Sequence, residues 1–199
     1  MAHAPAAAVT GTRYWTVPLA RALVALVPAA VITFNADHSA QFGLYVFGVF
    51  ALVNGVVTAL TSWRTITDAR DRTLFTVQGV VGVVAGVLAL VLHAGGLGFF
   101  LYLVTVWAAV TGVLELYSGL RLRGRGDVTR DWLIVGVLTA VLSLAFLLLP
   151  PHAVVSVGLL GAYLVIIGVY LVIAGFSLLW AQKDAKRALA SSTTESDTP

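Results

Sequence analysis

The sequence has no cysteine. Disulfides, thiolate metal sites and a cysteine nucleophile are therefore excluded. Charge is scarce too. Only 11% of the 199 residues are Asp, Glu, Lys or Arg, against about 25% in an average soluble domain. So few polar groups cannot cover a water-facing surface. The net charge is only +3, and the basic residues are not gathered into a polar domain, which argues against a nucleic-acid partner. Catalytic motifs are missing as well. There is no HExxH, no GxSxG, no P-loop and no pair of carboxylates within one apolar stretch. No enzymatic activity, no metal and no cofactor are expected. "GLGFF" and "GRGD" are isolated glycine patterns without a strand-to-helix context.

What the chain has instead is apolar length. It is 59% hydrophobic, with a mean hydropathy of +0.96. A helix needs about 20 apolar residues to cross a hydrocarbon core of about 30 Å. Six such stretches are present, near residues 16–34, 41–63, 73–92, 97–120, 132–149 and 153–180. The last two form one apolar run interrupted only by "PPH" (Pro150, Pro151, His152). Proline cannot continue a helix, because it lacks the N–H and clashes with the preceding turn. "PPH" is thus a turn between antiparallel spans, and "NADHSA" (35–40) and "HAGG" (93–96) do the same work. The expected fold is all-α: six transmembrane helices in three tandem αα-hairpins covering 13–64, 70–121 and 130–182. Residues 1–12 and 183–199 are small and polar and read as disordered tails.

The three hairpins repeat. Ala22, Gly79 and Gly136 occupy matching places in the first helices, 57 residues apart, and Ala29, Gly86 and Ser143 follow seven residues later. Gly55, Gly112 and Gly168 match in the second helices, at spacings of 57 and 56. Helices in lipid gain nothing by hiding leucine from an equally apolar solvent. They associate where small residues let backbones approach. Gly79, Gly82 and Gly86 lie along one helix face and read as such a packing stripe. All three hairpins point the same way, so they are parallel repeats about the membrane normal. The inverted repeats with broken helices found in many secondary transporters are absent.

All twelve Lys and Arg residues lie before span one, just inside it, or after spans two, four and six. None lies in the three short turns. By the positive-inside rule both termini are cytoplasmic. Trp15, Trp63, Trp132 and Trp180 fall at the same side, where an aromatic belt belongs, while Trp107 is mid-span.

Residues 107–178, "WAAVTGVLELYSGLRLRGRGDVTRDWLIVGVLTAVLSLAFLLLPPHAVVSVGLLGAYLVIIGVYLVIAGFSL", resemble the HdeD family of small bacterial inner-membrane proteins. The resemblance is carried by "TGVLEL" running into "RLR", the tryptophan opening span five, "LLLPP" at the turn and "LGAYLVIIGV" in the last helix. It departs at "HAGG", which has no proline, and at span one, which has two prolines and an arginine. The family implies an inner-membrane location and an association with acid resistance, and it brings no catalytic residues. A small-solute or ion permease, or a membrane assembly subunit, is the alternative. The partners expected are the lipid bilayer and, in the assembly reading, a second copy or other membrane proteins.

Ionisable residues inside a membrane are functional candidates. Arg21 and Glu115 lie at similar depth, one to two turns inside spans one and four, and can pair. The competing reading has Arg21 snorkelling to the headgroups and Glu115 meeting a loop arginine. Gln78 sits at the position matching Arg21 and, like Asn54, can hydrogen-bond between helices. His38, His93 and His152 each occupy one turn. An unperturbed histidine titrates near pH 6.5, so these three are candidate pH-responsive groups.

Overall fold

The computed structural model describes residues 15–65, 69–121 and 127–196. The tail over 1–12, with Arg13, lies outside the described residues, as do Arg123 and Arg125. Six helices follow in order: α1 (Thr16–Phe34), α2 (Ala40–Thr65), α3 (Ala69–Val91), α4 (Gly96–Arg121), α5 (Asp127–Leu148) and α6 (Ala153–Ser196). Each is long and apolar enough, by length and composition, to cross a membrane. The turns fall where the sequence breaks. At the first, the Asp37 amide donates to Asn35 Oδ1 at 2.8 Å, and the Phe42 amide donates to the Ser39 hydroxyl that caps α2. At the second, Gly96 adopts φ +74°, which lets the chain reverse without proline. At the third, His152 lends its carbonyl to the amide and hydroxyl of Ser156 as α6 starts.

The last helix runs further than the sequence reading expects. Residues 183–196, read above as part of a disordered tail, continue α6. At about 1.5 Å per residue its 44 residues span about 66 Å, twice the hydrocarbon thickness. The stretch "AQKDAKRALA" explains this, since Ala, Gln, Lys, Arg and Leu are good helix formers even without a core to pack on. An exposed Asp184–Arg187 pair at 3.8 Å spans one turn of it.

The helices close into a ring. Each hairpin partner is a neighbour, but the most extensive contacts are α2 with α3, α4 with α5 and α1 with α6. Close packing thus joins each hairpin to the next across the basic end, and the last helix to the first. It does not lie within the hairpins that the repeat suggested. The second helices also meet one another, α2 touching both α4 and α6, and form an inner triangle with the first helices in its outer seams.

Glycine placement is the reason. A Cβ on Gly55 would lie 2.6 Å from the Gly79 carbonyl oxygen and 2.7 Å from the Val83 amide nitrogen. On Gly86 it would lie 2.5 Å from the Leu52 amide nitrogen, and on Gly82 3.0 Å from the Gly55 Cα. These are backbone-to-backbone contacts. Gly112 and Gly136 do the same for α4 and α5, against Ala140 and Leu116. Ser143, at the small position of the third repeat, adds a hydrogen bond to the Thr105 carbonyl on α4 at 3.1 Å. The α1–α6 seam is built differently. Ile32, Leu26 and Leu19 sit as knobs over Gly161, Gly168 and Gly175.

Gly55→Ala is expected to lower stability by roughly 1–3 kcal/mol, because two backbones must separate. Gly158, where an added Cβ meets nothing within 4 Å, is the control. Thermal melting in detergent should show a clear drop for Gly55→Ala and none for Gly158→Ala.

A buried polar cluster at the centre of the ring

Equivalent repeat positions meet at the ring axis. Phe50, Trp107 and Tyr163 occupy one repeat position on α2, α4 and α6. They meet at the centre: Trp107 makes edge-to-face contacts with Phe50 at 5.6 Å and with Tyr163 at 6.5 Å between centroids. The next inner layer toward the turns is Phe47, Val104 and Leu160, all fully buried. Toward the basic end the layer changes character. Arg21, Gln78 and Val135 occupy one repeat position on the first helices, and Thr58, Glu115 and Leu171 one on the second helices. In each set a position that is apolar in one repeat is polar or charged in another.

Glu115 is 2% exposed and Arg21 8%. Arg21 Nη2 donates to Glu115 Oε1 at 3.2 Å, and the same oxygen accepts from Gln78 Nε2 at 2.7 Å. Glu115 Oε2 lies 3.3 Å from the Thr139 hydroxyl, which also reaches the Val135 carbonyl at 2.8 Å and the Tyr163 hydroxyl at 2.9 Å. A threonine hydroxyl has one hydrogen. The arrangement that serves most acceptors therefore has Tyr163 donating to Thr139, and Thr139 donating onward. The arginine does not snorkel. Its guanidinium lies 5.1 Å over the Trp132 ring, a cation–π contact that holds it inside the ring of helices. Trp132 in turn packs on Phe75. The Trp63 ring, exposed at the basic end, carries Arg72 at 5.6 Å.

A cavity of about 20 Å3 lies beside this cluster, lined by Arg21, Asn54, Gln78 and Glu115 and by the aromatic triad. That volume holds about one water. Arg21 Nε is buried without a partner. A second cavity of similar size, lined by Val17, Pro18, Asp131 and Trp132, shares Arg21, Val135 and Leu171 with the first. Asp131, one of its lining residues, accepts from the Tyr170 hydroxyl at 2.6 Å.

The structure brings Arg21, Glu115 and Gln78 together, from helices far apart in sequence. The histidines stay in their own turns. His93 stacks on Tyr45 at 4.8 Å, with Nδ1 3.0 Å from the Leu90 carbonyl. His38 Nδ1 lies 3.4 Å from the Ala36 carbonyl, and His152 is exposed. Among the described residues no group of three His, Asp or Glu side chains could hold a metal. Sequence reasoning missed Thr139, Tyr163 and Trp132. The first two were recoverable: carrying the 57- and 56-residue spacing through gives Ala25, Gly82 and Thr139 at one position, and Tyr163 beside Phe50 and Trp107.

Two overlapping segments, residues 20–91 and 77–148, match the short repeat of unknown function, DUF308. The chain belongs to the DUF308 family. The two matches are offset by 57 residues, the same interval that separates Ala22, Gly79 and Gly136. Each DUF308 copy begins in one hairpin and ends in the first helix of the next, so it includes one of the glycine-rich seams. The two copies supply Arg21, Gln78, Glu115 and Thr139, while Tyr163 lies beyond the second. Comparison with curated proteins and with solved structures returned no match.

Removing one partner of a buried ion pair leaves the other charge uncompensated, at a cost of about 3–5 kcal/mol. Glu115→Gln should therefore melt far below wild type in detergent, whereas Asp184→Asn on the exposed end of α6 should not. Replacing Arg21 and Glu115 together by methionine should recover most of the loss.

Proposed function

We propose that this DUF308 protein is an HdeD-like, non-catalytic protein of the bacterial inner membrane, with both termini cytoplasmic, that serves in the response to acid or envelope stress. One observation carries the reading. The charged cluster at the ring centre adjoins space for about one water, and stacked aromatic and aliphatic layers lie between it and the turns. Such a site suits protons and water better than an organic substrate. Space for about one water beside the charged cluster supports the non-catalytic reading over an enzyme or a permease.

The positive-inside rule supports the orientation. The described cations Arg72, Arg121, Arg130, Lys183 and Arg187 all belong to the end opposite the turns. The turn histidines His38, His93 and His152 then face the exterior. Asp37 is the one acidic residue of those turns.

A deletion strain should survive acid challenge less well than its parent, and the wild-type gene should restore survival. Glu115→Gln at matched protein level should restore it poorly. The triple His38→Asn, His93→Asn, His152→Asn variant should restore it in part. Full restoration by the triple variant removes the histidines from the reading. Equal survival of deletion strain and parent removes the stress role. Solute or ion flux through liposomes carrying the purified protein would favour the permease.

A further inference from the structure

A second carboxylate, Asp131, which accepts from the Tyr170 hydroxyl at 2.6 Å, lines a cavity that Arg21 also lines. Arg21 stands between two cavities. On the inner side it bonds Glu115. On the outer side the cavity it lines contains Asp131, at the start of α5 near the basic end. Trp132, next to Asp131, lies under the guanidinium at 5.1 Å. An arginine resting on an aromatic face can slide along it while keeping the cation–π attraction. Its Nε has no partner in the present position, so that position leaves one donor unused.

We propose that Glu115 is a proton-binding site open to the basic end only, and that proton uptake moves Arg21 along Trp132 from Glu115 to Asp131. The ligand is the proton itself, delivered by water through the outer cavity. When Glu115 takes a proton, its attraction for Arg21 is lost, and an unpaired cation at that depth is costly. Asp131 offers the guanidinium a carboxylate nearer the membrane edge, where the positive charge is better solvated. The groups facing Glu115 fit this exchange. α1 presents Arg21, α6 presents Tyr163, α3 and α5 present the neutral Gln78 and Thr139, and α2 presents the neutral Asn54 to the cavity that Glu115 lines. Among the described residues, Arg21 is thus the one charged group bonded to the Glu115 carboxylate. Gln78 and Thr139 hold that carboxylate in place when the arginine leaves. Access is one-sided: Phe50, Trp107 and Tyr163, then Phe47, Val104 and Leu160, lie between the cluster and the turns. The proposal deepens the acid-stress reading by naming the group that takes the proton and the side it comes from. It is read on purified protein, so a failed survival assay leaves it standing, and its own failure leaves the stress role standing.

Infrared difference spectroscopy on wild-type protein, in vesicles of one orientation, tests it. Acidifying the basic side should produce a protonated-carboxyl stretch that is absent in Glu115→Gln. Acidifying the turn side alone should not. Asp131→Asn removes the second resting place of Arg21. The protonated state loses support, and the Glu115 midpoint should move toward acid by about one pH unit, a tenfold change. If Glu115→Gln does not fold, the Asp131→Asn shift and isotope editing of glutamate in wild type still decide the matter. No glutamate signal between pH 4 and 8 overturns the site. A signal driven from the turn side overturns the sidedness. An unshifted midpoint in Asp131→Asn overturns the movement of Arg21.

Discussion

The bilayer supplies no water to a buried polar group, so every such group must find its partner inside the protein. The Arg21–Glu115 pair puts that requirement in its most demanding form. Its hydrogen bonds draw on α1 and α4 for the charges, α3 for Gln78, α5 for Thr139 and α6 for Tyr163. Five of the six helices must therefore be in place before the pair is satisfied. Closure of the ring, with α6 packed back on α1, puts Tyr163 and Arg21 in the same cluster. The pair contributes little net energy compared with an apolar core of the same volume. What it imposes is a single arrangement, because any slip of one helix leaves a charge or an amide unpaired.

The frame around the cluster is repetitive, and its centre is not. Small residues recur at the same repeat positions wherever backbones meet, since any side chain there would enter a neighbouring backbone. Around the axis the matching positions diverge: Arg21 against Gln78 and Val135, Thr58 against Glu115 and Leu171, Phe50 against Trp107 and Tyr163. Packing constrains the α2–α3 and α4–α5 seams alike, backbone against backbone, while the α1–α6 seam meets its glycines with leucine and isoleucine side chains. The axis is a single place that all three share, so one residue from each must fill it jointly, and three identical charges there would repel. Polar character on one side and apolar on another follows from that shared space.

The molecule is also uneven from end to end. Basic residues and both small cavities lie toward one end, and the sealed aromatic and aliphatic layers toward the other. The α1–α6 seam, closed by leucine and isoleucine knobs over glycines, is the seam next to Arg21. It lacks the tighter backbone contacts that α2 makes with α3, and is therefore the side of the ring best able to accommodate movement of that residue.

Much of this was legible in the chain before any coordinates. Apolar length gives the six helices, and Asn35–Ala40, His93–Gly96 and Pro150–His152 give the turns, because both signals are local. The 57-residue spacing gives the repeat. Arg21 and Glu115 stood out because a charge within an apolar span needs a partner at its own depth. Thr139 and Tyr163 could have been found by carrying that spacing through, but the sequence could not say that α2 packs more closely on α3 than on α1, or that Trp132 serves Arg21 as well as the membrane edge. The tertiary structure decided these, because they depend on how each helix is rotated about its own axis and on a ring that closes between residues 94 positions apart. Hydrophobicity fixes how deep a residue sits, and only the packed neighbours fix which way it faces.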